Sequence, residues 1–89
     1  MSATYQVIIA DPVLEDEEIW GQVEGLRLVS VDGPWQPPDG SPSHGRKLCT
    51  IEDDGAPVAL EGCLVDVTLA RDISGATPRV LVDSRTVIS

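Results

Sequence analysis

The chain reads as a small all-β domain, a barrel or sandwich of five to six short antiparallel strands. Three observations predict this. Val supplies 11 positions and Ile 6, against 8 Leu, and branching at Cβ suits a pleated surface better than a helix. Eight glycines and seven prolines in 89 residues punctuate the chain into short segments. Between these breaks, apolar and polar residues alternate as half-buried strands require. Open Greek-key barrels of the OB or SH3-like kind fit the length, and residues 1–89 read as one domain. With no Phe and 3% aromatic residues, the core has to be built from small aliphatic side chains.

Thr4–Ala10 places Tyr5, Val7 and Ile9 on one face and Gln6 and Ile8 on the other. Asp11-Pro12 ends it, because proline donates nothing to a ladder. One short helix fits near residues 12–20. Asp11 is a suitable cap, Pro12 suits the first helical position, and Glu15–Glu18 favour the positive end of the helix dipole. The apolar positions Val13, Leu14, Ile19 and Trp20 form no clean stripe, however. Leu26–Asp32 is a second strand, apolar on both faces.

Asp54-Gly55 is a two-residue hairpin signal, and it predicts pairing of Lys47–Asp53 with Ala56–Leu60. In that register Ile51 faces Val58, and Pro57 falls at a non-hydrogen-bonded position where its missing N–H costs nothing. Glu61-Gly62 then turns into Cys63–Ala70. The resulting meander puts Cys49, Ile51, Val58, Leu60, Cys63, Val65, Val67 and Leu69 on one core face. Arg79–Asp83 and Thr86–Ile88 supply the last strands.

Cys49 and Cys63 lie two strands apart in this register. Strand spacing of ~4.8 Å sets their Cα atoms ~9–10 Å apart, beyond disulfide reach, so both are expected as reduced, core-type thiols. A single histidine, His44, with two cysteines that have thirteen residues between them lacks the close ligand pairs of a metal site. No phosphate-cradling or nucleophile-elbow motif is present, and Ser41 and Ser43 neighbour His44 on a loop rather than in an oriented triad. The expectation is a non-enzymatic protein without cofactor or metal.

Asp32–Arg46 is the segment that stands out. It holds Pro34, Pro37, Pro38 and Pro42, three glycines and Trp35. Loops this long inside compact domains are functional or disordered. Trp35 is either a binding anchor or a cap folded back on the core. Arg46 and Lys47 at the loop's end are the chain's adjacent basic pair, and with His44 and Trp20 they complete the candidate contact residues.

Fifteen acidic against 6 basic side chains give a formal charge of -9, and the excess is local. Asp11, Glu15, Asp16, Glu17, Glu18 and Glu24 precede the first basic residue, Arg27. Such a patch is either solubilising or a face that seeks a basic groove, in the extreme as a mimic of nucleic acid. Direct nucleic-acid binding is not expected, since clustered cations are lacking. No apolar run approaches the ~18–20 residues of a membrane helix, and no basic region opens the chain as in a secretory signal, so a cytoplasmic protein is expected. The function expected is that of an adaptor, contacting another protein through the 32–46 loop and the acidic patch. The alternatives are a homo-oligomeric assembly subunit pairing through its edge strands Thr4–Ala10 and Arg79–Ile88, a nucleic-acid mimic, and a small-ligand-binding barrel.

Overall fold

A computed structural model describes residues 2–10, 12, 23–42 and 45–89; these residues are predominantly β, with five strands in two small sheets, and Pro12 is helical. The alternation of the first strand, β1 (Ala3–Ala10), drives the packing: Ala3, Tyr5, Val7 and Ile9 are buried, and the residues between them are half-exposed. β2 (Leu26–Pro34) and β3 (Arg46–Asp53) complete a sheet in the order β1-β3-β2, antiparallel throughout. β4 (Val65–Asp72) and β5 (Arg79–Val87) form a separate antiparallel pair.

The core lies between the sheets. Tyr5, Val7 and Ile9 meet Cys49 and Ile51 of β3, Val65 of β4, and Ala56 and Leu60 from the connection after β3. Leu26, Cys63 and Val67 pack against this cluster from its margin. Ile51 is fully buried, and truncating a side chain so placed to Ala costs about 2–5 kcal/mol.

Among the described residues, two isolated bridges join the sheets along two seams. Along the outer edge of β1, Gly62 N–H donates to Thr4 O at 3.0 Å and Gln6 N–H donates to Cys63 O at 2.9 Å, giving one parallel bridge between Gln6 and Leu64. At the other seam Val23 bridges Val80, and Glu24 N–H donates to Val80 O. Among the described residues the two sheets are thus linked at two points, without a continuous ladder around a barrel.

A buried ionic cluster also crosses between the sheets. The Asp53 carboxylate, 1% exposed, accepts from Arg85 Nε at 2.6 Å, from Arg85 Nη2 at 3.0 Å and from Gly55 N–H at 3.0 Å. The Tyr5 hydroxyl donates a further short bond to it. Burial alone would raise the carboxyl, but the bonds from Arg85, Tyr5 and Gly55 outweigh it and hold Asp53 below its ordinary value. Tyr5 moves the opposite way: burial first, then the adjacent carboxylate, push its phenol well above the ordinary range.

The three-stranded meander is not formed. Both edges of β3 are taken, one by β1 and the other by β2, so no edge remains for Ala56–Leu60. Nor does Gly55 enter the left-handed region that the hairpin turn requires. Its N–H is captured instead by the Asp53 side chain, an Asx turn that bends the chain away. Val58–Leu60 then forms one 3-10 turn. Of the expected core face, Cys49, Ile51, Leu60 and Val65 are buried; Cys63, Val67 and Leu69 are half-buried, and Val58 is exposed.

Two further expectations change. The two short segments after Arg79 are one strand, β5, in which Asp83 is the extra residue of a bulge opposite Thr68 and Leu69. Nor is β1 a free edge over its first half, where 62–64 lies along it. Cys49 and Cys63 are free thiols, with β1 rather than the 56–60 segment between them. The helix expected near residues 12–20 lies outside the described residues apart from Pro12.

Candidate binding site

β2 runs further than the sequence suggested, to Gly33-Pro34, so the long connection narrows to residues 35–45. At its base Trp35 N–H donates to Arg46 O at 3.0 Å, and the Arg46 guanidinium lies 4.4 Å from the centroid of the Trp35 ring. An arginine over an indole face is held by the ring quadrupole, for about 0.5–1 kcal/mol when solvent-accessible. Within the loop the Asp39 carboxylate accepts from Ser41 N–H at 2.9 Å and Ser41 Oγ at 2.7 Å. The Ser41 hydroxyl and then its amide hold that carboxyl low. Gly40 N–H closes a turn onto Pro37 O, and Pro37 is buried.

Trp35 does not join the core cluster; it is half-buried. It lines an open groove with Arg46, Ile8, Val65, Asp66 and Ile88, which brings together β1, β3, the start of β4 and the residue after β5. The groove mixes an aromatic face, two isoleucines and one residue of each charge. That combination suits an extended, amphipathic segment better than a small apolar molecule.

Beside the groove, the outer face of the first sheet carries a polar cluster around Asp32. Val29 and Asp32 are the extra residues of two bulges in β2, and the second turns the Asp32 carboxylate onto this face. It accepts from Thr50 Oγ1 at 2.6 Å, Ser30 Oγ at 2.7 Å and Gln6 Nε2 at 3.3 Å. The hydroxyls of Thr50 and Ser30 hold it below its ordinary value.

Of the residues singled out in the sequence, the structure brings Trp35 and Arg46 together. Lys47 follows on β3, opposite Ile9 and Pro34. Glu24 is exposed at the opposite end of β2, 3.5 Å from Arg79. Trp20, His44, Asp11, Glu15, Asp16, Glu17 and Glu18 lie outside the described residues. Sequence reasoning missed Ile8, Asp66 and Ile88. An available signal was Ile8, an apolar residue on the otherwise polar face of its strand.

Among the described residues no group of three His, Cys, Asp or Glu side chains is placed to hold a metal ion, and no helix is long and apolar enough to cross a membrane. Comparison of the chain with protein-family models, with characterised proteins and with solved structures returns no match.

Proposed function

We propose that this is a non-enzymatic adaptor domain that binds another protein through the Trp35–Arg46 groove. The observation that carries the reading is the stacked pair itself, set beside Ile8 and Ile88 in an open groove. Trp and Arg are the residues most enriched among binding hot spots. The stack orders both side chains before any partner arrives, which lowers the entropic cost of contact. The partner is basic, because the chain carries a charge of -9 and, of the groove's two charged residues, Arg46 is already stacked on Trp35 while Asp66 is exposed. Its acidic N-terminal stretch adds long-range attraction.

Assembly through sheet edges is the weaker reading. Val87 and Ile88 on one edge, and Leu28, Val29 and Val31 on another, are exposed. Yet β2 carries two bulges and β5 carries one with Asp83, and bulges and charges blunt edge pairing.

Affinity capture from the source cell tests the proposal, with the wild-type chain and Trp35→Ala compared side by side. A protein held by the wild type and lost from the variant is the expected result. Equal capture by both would remove the groove from the reading. Sedimentation at several concentrations separates the assembly alternative, which requires a concentration-dependent dimer.

A further inference from the structure

The seam between β1 and β4 opens beyond Gln6. We infer that this opening is a slot that takes an extended segment of the partner as an added strand along β1. The inference rests on the protein-binding reading above and supplies its mode.

The backbone argument comes first. Gln6 N–H and Thr4 C=O point outward from β1, where they bond Cys63 and Gly62. Directions repeat every second residue along a strand, so Ile8 and Ala10 present their N–H and C=O groups to the same side. The bridge at Gln6–Leu64 is isolated, and among the described residues no sheet partner continues it along Ile8–Ala10. On the facing side Leu64 bonds Ser89 and Ile88, which turns the backbone groups of Val67 and Leu69 towards β1 by the same alternation. Unpaired strand edges of this kind are templates for another strand.

The side-chain argument is independent. Ile8 lines two different spaces. One is an apolar cavity of about 160 Å³ bounded by Val7, Ile9, Leu26, Ile51, Val67 and Leu69. The other is the outer groove of Trp35, Arg46, Asp66 and Ile88. A strand directs successive side chains to opposite faces. One laid in the seam would send alternate residues into the apolar cavity and the rest into the amphipathic groove. That pattern specifies the occupant: a segment with small aliphatic residues at every second position and Lys or Arg among the others, drawn by the net charge of -9 and facing Asp66, since Arg46 is stacked on Trp35. A second copy of this chain is the poorer donor, because its exposed edges β2 and β5 are broken by bulges.

Amide hydrogen exchange on the isotope-labelled full chain tests this with synthetic seven-residue peptides. The main probe alternates Val and Lys; the controls alternate Val and Glu, or carry N-methyl groups on the bonding edge. The expected result is that the Val–Lys peptide slows exchange at Ile8 and Ala10 about tenfold near nine-tenths saturation, while the N-methylated peptide does not. Leu69→Lys, which puts charge into the apolar cavity, should abolish that protection and leave the Trp35 resonances unchanged. Strand addition is overturned by slow exchange at Ile8 and Ala10 in the free protein, by peptide binding that protects β2 or β5 instead, or by no protection at millimolar peptide. Equal protection by the Val–Glu peptide overturns the basic character of the occupant. A captured partner that needs Trp35 but leaves Ile8 and Ala10 unprotected would keep the groove and discard the slot.

Discussion

Arg85 on β5 grips the carboxylate of Asp53 on β3 with two nitrogens, at 2.6 and 3.0 Å, across the gap between the two sheets. The geometry is the fork-to-fork pairing for which arginine is suited and lysine is not. The Asp53 side chain is almost wholly excluded from solvent, while about a quarter of Arg85's remains exposed. The pair therefore holds a buried anion with a cation that still reaches water.

Removing either partner should have unequal consequences. Arg85→Ala leaves a buried carboxylate without its cation, a change that costs about 3–5 kcal/mol. Asp53→Asn keeps the shape and leaves an arginine that can turn outward, so a smaller loss of about 1–3 kcal/mol is expected. Urea denaturation midpoints of the two variants, read against the wild type at neutral pH, check the order.

The same cluster predicts how stability depends on pH. Asp53 titrates lower in the folded chain than in the unfolded one, so its contribution is present above the ordinary carboxylate value of ~4 and is lost as the pH falls below it. Tyr5 titrates higher when folded, so its contribution is present below ~10 and is lost as the pH climbs beyond. In Arg85→Ala, burial becomes the dominant influence on Asp53 and raises it, so acidification should relieve part of the damage. Midpoints measured between pH 3 and 7 should fall with acid for the wild type and rise for the variant.

Two glycines should fail for different reasons. Gly62 has φ +75 and open space where a Cβ would stand, so Gly62→Ala costs about 1–2 kcal/mol from the left-handed backbone alone. Asn tolerates that conformation and should recover part of the loss. Gly55 lies outside the left-handed region, yet its added Cβ would stand 3.1 Å from Arg85 Nη2. Gly55→Ala should therefore lose little once Arg85 is already Ala. A double-mutant cycle on denaturation midpoints gives the coupling.

Thiol chemistry should separate the two cysteines. Cys49 is fully buried and Cys63 is half-buried at the seam beside β1. A maleimide should label Cys63 in the native protein, whereas Cys49 should react only at the rate of opening. Native labelling of both at equal rates would contradict the packing of β3.

The all-β class was legible because Cβ-branched residues and frequent Gly and Pro act locally, and so was the buried face of β1, since Tyr5, Val7 and Ile9 repeat with period two. What could not be read was which strand lies next to which. Asp54-Gly55 is a strong local signal, but β3 gains more by placing a long strand on each edge than by pairing with a five-residue segment that contains Pro57. Asp53 reads in the sequence only as the last residue of a strand, and the approach of Tyr5 and Arg85, distant in sequence, makes it the centre of a buried cluster. The candidate site was half legible: Trp35 and Arg46 stand out in composition, while Ile8, Asp66 and Ile88 join them only through topology.

The pairing of β1 with β3 also governs the order of events during synthesis. Tyr5 and Asp53 are separated by 48 residues, and each register pair between these strands spans a comparable length. β1 is translated before β3, and its apolar Val-Ile-Ile run lacks its β3 mate until Arg46–Asp53 has been made. Closing so long a loop is slow compared with forming the local β4–β5 hairpin. Through that interval the nascent chain carries an unpaired, sticky strand, and the speed at which β3 arrives decides whether it is buried or captured by a neighbour.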